Sequence, residues 1–215
     1  MTIRVLIADD QDMVRTGFSM ILAATEGIEV VGEADNGRDA VTKARHLRPD
    51  VCLFDIRMPE LDGIAATREL AGPAVADPLR IVIITTFDTD EYLQDALKAG
   101  ATGFLLKNAG PELLIEAVRA AADGESLISP TMTTRLLAQF SSTDRSGAAE
   151  PAEPLTEREL EVLYSVASGL TNAEIAETLH ISLSTVKTHI ASAMTKVGAR
   201  NRVELVIWAY DSGRR

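Results

Sequence analysis

VCLFDIRMPELDG, residues 51–63, contains the apolar run from which the fold of this 215-residue chain can be inferred. Val51–Phe54 shows no alternation of apolar and polar positions, which is typical of a strand buried on both faces of a parallel sheet. Asp55 follows this strand directly. Because ligands of open parallel sheets bind beyond the carboxyl ends of the strands, Asp55 is the first candidate for a functional residue.

Four further apolar runs of this kind occur in the first half of the chain. The predicted strands are Ile3–Ala8, Ile28–Val31, Val51–Phe54, Ile81–Ile84 and Gly103–Leu106. Helix-like stretches with apolar residues three or four positions apart lie near residues 13–24, 38–47, 62–71, 90–99 and 111–123. A repeated strand–helix unit predicts an α/β domain over residues 1–125, with a five-stranded, doubly wound parallel sheet.

The residues that follow these strands are chemically distinctive. The first strand leads into Asp9 and Asp10, the third into Asp55, the fourth into Thr85 and the fifth into Lys107. Clustered carboxylates repel one another unless a cation lies among them, and a site made only of oxygen ligands suits Mg²⁺. A carboxylate can act as a nucleophile, and a metal with a lysine would neutralise charge on a transferring phosphoryl group. The pattern therefore predicts acyl-phosphate formation on Asp55.

An enzyme is the first alternative to a protein that only receives a phosphoryl group. A phosphatase or a dehalogenase also places a nucleophilic aspartate after a strand. Such enzymes usually carry a second acid two residues beyond the nucleophile, and here that position is Arg57. This departure argues against a turnover enzyme.

Four motifs resemble those of the receiver domain of two-component response regulators: IADDQ at residues 7–11, LFDIRMPELDG at 53–63, IITTF at 83–87 and GFLLK at 103–107. The resemblance covers residues 3–124 and implies the strand order 2-1-3-4-5. It implies that Asp55 is the phosphoacceptor and that Asp10 and Asp55 ligate Mg²⁺. Asp9 would assist through water, and the Arg57 carbonyl would complete the metal site.

The same resemblance assigns roles on the last two strands. Thr85 and Lys107 would contact the phosphoryl group. Phe104 would change rotamer when Thr85 moves toward that group. A phenylalanine at this position is equally well explained as a core residue, so both interpretations of Phe104 remain open.

The composition changes after residue 125. SSTDRSGAAEPAEP, residues 141–154, is rich in Ser, Ala, Gly and Pro and shows no apolar period. Residues 126–154 are therefore predicted to form a linker, with a short helix over residues 129–140. Residues 155–215 show helical patterns alone and predict an all-α domain of four helices.

Two helix starts in this second domain have a recognisable capping signal. Thr156 with Glu159 and Thr171 with Glu174 have the spacing of a capping box. In that motif the threonine and the glutamate each satisfy a backbone N–H group at the helix start. The spacing predicts that helices begin after both threonines.

The third helix of this domain has two contrasting faces. An apolar face, which we expect to pack into the core, comprises Val186, Ile190, Met194 and Val197. Short or basic side chains that fit a major groove lie opposite, at Lys187, Thr188, Ala191 and Thr195. Hydroxyl side chains at the helix start, which can contact phosphates, belong to Ser182, Ser184 and Thr185.

Three motifs here resemble the LuxR-type helix-turn-helix of NarL/FixJ-family response regulators: LTERELEVL at residues 155–163, GLTNAEIAETLHISLSTVKTHI at 169–190 and KVGARNRVEL at 196–205. The resemblance implies a helix-turn-helix from Asn172 to Ala191. It implies base contacts by Lys187, Thr188 and Ala191 and phosphate contacts by Thr185 and Lys196. The complete set of residues expected in DNA binding is Asn172, Ser182, Ser184, Thr185, Lys187, Thr188, Ala191 and Lys196.

The distribution of charge bears on how DNA is bound. The net charge is −11, but residues 1–140 hold 13 basic and 22 acidic residues, whereas residues 155–215 hold seven of each. A neutral DNA-binding domain predicts weak binding by a single copy. A homodimer on two half-sites about one helical turn apart would double the contact. Val203, Val206 and Ile207 of the last helix can either pack inward or pair with a second copy.

These observations predict a transcriptional regulator in which a sensor histidine kinase phosphorylates Asp55 and thereby controls dimerisation and promoter binding. The expected partners are this kinase, double-stranded promoter DNA and a second copy of the chain, with RNA polymerase as an additional candidate.

No apolar run approaches the roughly 18 residues of a membrane span, so we expect a cytoplasmic protein without membrane contact. A DNA-binding protein with a phosphate-independent N-terminal scaffold is the second alternative.

Overall fold

The computed structural model of the chain describes residues 2–86, 90–125, 151, 153–168, 170–199 and 201–212. The chain divides into two compact units, residues 1–135 and 136–215, which we call the N-terminal and the C-terminal unit. The helix predicted over residues 129–140 and most of the predicted linker lie outside the described residues, so both stay predictions. Across the described ranges, each helix is too short or too polar to cross a membrane.

A five-stranded parallel sheet forms the centre of the N-terminal unit. Its strands are β1 (Ile3–Ala8), β2 (Ile28–Ala34), β3 (Val51–Phe54), β4 (Ile81–Thr85) and β5 (Gly103–Leu106). They lie in the order β2-β1-β3-β4-β5, which confirms the predicted fold class and strand order. The chain places β2 on one side of β1 and places β3, β4 and β5 on the other side, so the strand order switches between β1 and β3. Ligands of open parallel sheets bind beside the carboxyl ends of the strands at such a switch point.

Helices cover both faces of this sheet. They are α1 (Asp12–Ala23), α2 (Gly37–Leu47), α3 (Gly63–Ala71), α4 (Asp90–Ala99) and α5 (Pro111–Ala122). Successive strand residues point to opposite faces, so Val5 and Val51 join a core with α1 and α5. Leu6, Cys52 and Phe54 are fully buried on the other face, which α2 and α3 cover. This two-sided burial explains the unbroken apolar runs in the sequence.

The second strand is longer than the sequence predicted. The apolar run stops at Val31, but β2 continues to Ala34 because its backbone pairs with β1 along its length. Backbone pairing therefore carries the strand through Gly32 and Glu33, which are residue types with low strand propensity. As a result, Glu33 lies near the carboxyl edge of the sheet.

The C-terminal unit is helical, as predicted. Its helices are α6 (Glu157–Ala167), α7 (Asn172–Leu179), α8 (Leu183–Val197) and α9 (Arg202–Asp211). Thr156 with Glu159 and Thr171 with Glu174 form complete capping boxes, which confirms both predicted helix starts. His180, with a left-handed φ of 54°, ends α7 and allows the tight turn into α8.

The helices of the C-terminal unit pack around an apolar core. Residues from all four helices contribute, including Leu163 of α6, Ile175 of α7 and Leu205 of α9. The apolar face predicted for α8 is confirmed, because Val186 and Ile190 are buried in this core and the remaining two residues pack against it. The opposite face of α8 is thereby left on the surface of the unit.

Candidate functional site

Three carboxylates meet at the carboxyl edge of the N-terminal sheet. Asp9 and Asp10 follow β1, Asp55 follows β3, and these two strands are neighbours. One carboxylate oxygen from each residue lies within 4.8 Å of the others. Asp9 and Asp55 are 2% and 4% exposed, whereas Asp10 is open to solvent. The structure thus brings the three predicted aspartates together, and we call them the acidic cluster.

Lys107 neutralises part of the charge of this cluster. It follows β5, and its Nζ lies 2.7 Å from Asp9 Oδ2 and 2.9 Å from Asp55 Oδ2. The lysine side chain is only 6% exposed, so it donates two charge-assisted hydrogen bonds in a weakly screened environment. Lys107 therefore links the two buried members of the cluster.

The ionisation of Asp55 depends on opposing effects. Burial raises the pKa of its carboxyl above the ordinary value, and repulsion from Asp9 acts in the same direction. The hydrogen bond and charge of Lys107 oppose this rise. Burial alone would lower the pKa of the Lys107 ammonium, but its bonds to both aspartates outweigh burial and raise it. Lys107 is therefore held in its charged form beside the carboxylate whose ionisation it favours.

Replacing Lys107 with methionine is expected to raise the pKa of Asp55 further, because burial and repulsion from Asp9 then act without the opposing ammonium. Titration of the Asp55 carboxyl carbon by NMR, in metal-free protein, measures this midpoint. Lys98→Met, which changes a lysine in the last turn of α4, should leave the midpoint in place. An unchanged midpoint in Lys107→Met would contradict the ion pair.

Thr85 and Phe104 lie on the two strands next to the cluster. Thr85 ends β4 and is fully buried, and its carbonyl oxygen accepts a 2.8 Å hydrogen bond from the Lys107 backbone N–H. Phe104 pairs with Ile83 of β4 and is also fully buried. The structure therefore places Thr85 and Lys107 side by side and Phe104 in the core. The switch role of Phe104 stays a prediction.

Gly63 closes the loop that follows Asp55. Its N–H donates to the Ile56 carbonyl oxygen at 2.8 Å, which brings the start of α3 against the end of β3. A methyl group at this position would lie 1.9 Å from the Asp55 carbonyl oxygen. Only glycine permits this approach, and our sequence reasoning missed its importance. The only indication in the sequence was that Gly63 ends the motif LFDIRMPELDG.

A groove of about 570 Å³ adjoins the acidic cluster at its exposed member. Its lining includes Asp10, Arg57, Met58 and Tyr92. Asp10 is therefore accessible from this side, although Asp9 and Asp55 are almost completely buried. The Arg57 carbonyl remains a predicted metal ligand.

The exposed side of α8 carries most of the residues expected to bind DNA. Those expected to face bases are exposed or half-buried: Lys187, Thr188 and Ala191. Ser182 caps the helix, because its Oγ accepts a 3.1 Å hydrogen bond from the Thr185 N–H. The hydroxyl oxygens of Ser184 and Thr185 each lie 2.7 Å from Ser182 Oγ. The structure thus gathers three hydroxyls at the start of α8.

Two other residues expected to bind DNA are held by contacts within the unit. Asn172 is 3% exposed, and its Oδ1 accepts a 2.6 Å hydrogen bond from Arg202 that links α7 to α9. This burial corrects the expectation for the Asn172 side chain, which has almost no surface to offer DNA. Lys196 Nζ lies 2.8 Å from Glu159 Oε2, so one of the three donors of its ammonium is already used within the unit.

Glu159 is the centre of a polar network that sequence reasoning did not find. Its carboxylate accepts hydrogen bonds from Lys196 at 2.8 Å, from Ser192 at 2.6 Å and from the Thr156 N–H at 2.7 Å. Burial would raise the pKa of Glu159, but these hydrogen bonds outweigh it and lower the pKa to about 2. The network joins the start of α6 to the second half of α8.

Glu159→Gln is expected to lower the free energy of unfolding of the C-terminal unit by about 2 kcal/mol at neutral pH, because an amide cannot satisfy all three donors. The stabilisation by Glu159 is complete above its unfolded pKa of 4.5 and disappears as pH falls toward 2. The difference between variant and wild type should therefore shrink over that range. Urea unfolding followed by fluorescence of Trp208, the only tryptophan, reports on this unit within the full chain.

Glu161→Gln is the matched control for this measurement. Glu161 is half exposed and pairs with Arg158 one turn earlier on the same helix. Such surface pairs contribute little to stability, so the Trp208 transition should stay close to that of the wild type. Equal destabilisation by both variants would show that the buried network has no special role.

Two family models match the chain. The model of the response regulator receiver domain matches residues 5–119, which include the acidic cluster and Lys107. The model of bacterial regulatory proteins of the luxR family matches residues 153–209, which include α6, α7 and α8. The two matched ranges fall in the two different units.

Relatives that match this chain over nearly all of its residues agree with these matches. The uncharacterized transcriptional regulatory protein YxjL of Bacillus subtilis strain 168 is 43% identical over 212 residues, covering 98% of this chain and 96% of YxjL. The crystal structure of ChrA, a response regulator in a heme-sensing two-component system, is 36% identical with a TM-score of 0.54, covering 100% and 99% of the two chains. RcsB of Salmonella enterica serovar Typhimurium, bound to promoter P1flhDC in the presence of phosphomimetic BeF₃⁻, is 28% identical with a TM-score of 0.58, covering 99% and 100%.

Proposed function

Because the chain belongs to the response-regulator family, with a receiver domain followed by a LuxR-type DNA-binding domain, we propose that phosphorylation of Asp55 controls its binding to promoter DNA. The assignment of a transcription regulator rests on the family. The phosphoacceptor, the metal ligands and the DNA contacts are our proposals. The observation that carries them is the buried contact of Lys107 with Asp55 and Asp9 beside the exposed Asp10.

Asp55 acts as the nucleophile in this proposal. A carboxylate oxygen of Asp55 attacks the phosphorus of a donor, either a phosphohistidine of a sensor kinase or acetyl phosphate. The bond from phosphorus to the donor breaks, its electron pair leaves with the donor, and an aspartyl phosphate remains. Lys107 lies within hydrogen-bond distance of Asp55 and is placed to pair with the new phosphoryl oxygens. Thr85 is the proposed hydroxyl contact.

The acidic cluster fits Mg²⁺. Three carboxylate oxygens within 4.8 Å of one another, with one member open to solvent, match the preference of this ion for oxygen ligands and retained waters. Asp10 and Asp55 would hold the ion, Asp9 would assist, and the Arg57 carbonyl would complete the set. When bound, Mg²⁺ offsets the negative charge of the phosphoryl oxygens.

The exposed face of α8 is the proposed DNA-binding surface. Lys187, Thr188 and Ala191 would face bases in the major groove, and the hydroxyls at the helix start would contact phosphates. The promoter complex of RcsB supports this assignment, because RcsB resembles this chain along its entire length. Since residues 155–215 carry no net charge, we propose that phosphorylation favours a homodimer whose two domains bind adjacent half-sites.

Lys187→Ala is expected to weaken specific DNA binding by roughly tenfold or more, because it removes a basic group from the proposed groove-facing surface. Fluorescence anisotropy at fixed salt concentration measures this loss on DNA fragments that the protein enriches from a random pool. Arg158→Ala removes a positive charge from α6 and serves as the control for net charge. Equal losses in both variants would contradict a specific role for α8.

The proposal as a whole is tested by measuring oligomeric state and DNA affinity with and without acetyl phosphate and Mg²⁺. We expect phosphorylation to increase both the dimer fraction and the affinity for DNA. DNA affinity that does not respond to a stoichiometric phosphoryl adduct would favour the phosphate-independent scaffold. Continuous release of phosphate with rapid turnover would favour an enzyme.

A further inference from the structure

Arg15 connects the loop that carries Asp9 and Asp10 to two other elements. Its guanidinium donates to the Asp9 carbonyl oxygen at 2.7 Å and pairs with Asp12, in the first turn of α1, at 2.6 Å. Its Nε lies 3.3 Å from Glu33 Oε2, near the end of β2. The Arg15 side chain is only 14% exposed. One planar group therefore joins the β1–α1 loop, α1 and β2.

The carbonyl that Arg15 binds belongs to the peptide between Asp9 and Asp10. The orientation of this peptide sets the direction in which Asp10 leaves the backbone, because the peptide unit is planar. The other polar atoms of Asp9 also have partners: the Ala34 carbonyl for its N–H, the Gln11 N–H for Oδ1 and Lys107 for Oδ2. Arg15 thus supplies the contact that fixes the side of this loop nearest to Asp10.

We propose that Arg15 is a positioning residue of the acidic cluster, which fixes the Asp9–Asp10 peptide so that both carboxylates are in place before Mg²⁺ binds. This inference rests on the proposed function. Groups that orient metal ligands typically change metal affinity strongly when they are removed, because the ligands must then be ordered on binding. The planar guanidinium can bond to three partners in different directions at once, which the point charge of a lysine reproduces poorly.

The charge of Arg15 and its hydrogen bond to the Asp9 carbonyl have opposite effects on the affinity for Mg²⁺. A positive charge near the cluster disfavours a bound cation, so removal of the charge alone would tighten Mg²⁺ binding. Loss of the fixed peptide would weaken it. The sign of the change in affinity therefore separates a positioning role from a purely electrostatic one.

Isothermal titration of the full chain with Mg²⁺ tests this inference. We expect Arg15→Gln to weaken Mg²⁺ binding by roughly tenfold or more, and Arg15→Lys to show most of the same loss despite its retained charge. Arg38→Gln, which removes an arginine from an exposed pair with Glu69, should bind Mg²⁺ as the wild type does. If Arg15→Gln fails to fold, Arg15→Lys carries the test in the same way.

Phosphorylation kinetics supply a second measurement. In the Arg15 variants the Mg²⁺ concentration for half-maximal phosphorylation by acetyl phosphate should rise, while the rate at saturating Mg²⁺ stays near that of the wild type. Mg²⁺ binding by Arg15→Gln that is as tight as in the wild type, or tighter, would overturn the inference about Arg15 without affecting the proposed function. Wild-type Mg²⁺ affinity in Arg15→Lys would have the same consequence. Absence of Mg²⁺ binding in the wild type would overturn the proposed function with it.

Discussion

Asp55→Asn is expected to abolish phosphorylation of the chain by acetyl phosphate and Mg²⁺, and with it the phosphorylation-dependent gain in DNA affinity. An amide lacks the nucleophilic oxygen that a carboxylate supplies. The change preserves the size of the side chain, and Lys107 can still donate to the amide oxygen, so the fold should persist. Intact-mass spectrometry measures the adduct, and anisotropy on the same samples measures DNA affinity.

Asp123→Asn is the control for this experiment. Asp123 is an exposed aspartate just beyond α5, on an element that does not carry the acidic cluster. This variant should gain one phosphoryl group as the wild type does. A full adduct on Asp55→Asn would show that another residue accepts the phosphoryl group and would refute the assignment of Asp55.

Gly63→Ala is expected to destabilise the receiver domain by about 3 kcal/mol or more. The new methyl group would lie 1.9 Å from the Asp55 carbonyl oxygen, and a backbone atom cannot move aside as a flexible side chain can. For a domain of this size the loss corresponds to a Tm lower by about 10 °C. Circular dichroism of the full chain follows this transition, while Trp208 fluorescence reports on the C-terminal unit separately.

Gly17→Ala provides a matched control with the opposite sign. Gly17 lies within α1, and a methyl group there would meet no atom within 4 Å. Alanine favours a helix over glycine by about 1 kcal/mol, so this variant should be more stable than the wild type. A Gly63→Ala protein as stable as Gly17→Ala would show that the start of α3 can shift without cost.

The fold of the receiver domain was predictable because its strands are buried on both faces. Such strands leave unbroken apolar runs, and the residues that follow them must meet at one edge of a parallel sheet. Asp9, Asp55 and Lys107 were found in this way. The end of β2 was not, since Gly32 and Glu33 have no strand pattern and are held by backbone pairing with β1.

Helix starts in the DNA-binding domain were predictable for a local reason. A capping box is made by residues three positions apart, so its donors and acceptors can be found in the sequence, as at Thr156 and Thr171. The partner of Lys196 could not be found in this way. Glu159 lies 37 positions earlier and reaches Lys196 only because α6 packs on α8.

The sequence by itself determined the two kinds of domain, the acidic cluster with its lysine and the two faces of α8. The spacing of apolar residues along the chain reveals the domain types and the faces of α8, and the positions of the aspartates and the lysine directly after strands reveal the cluster. The tertiary structure alone decided that Gly63 must lack a side chain, that Arg15 holds the Asp9 carbonyl and that Asn172 is buried. Each of these depends on contacts between separate elements, and such contacts leave no regular spacing in the chain.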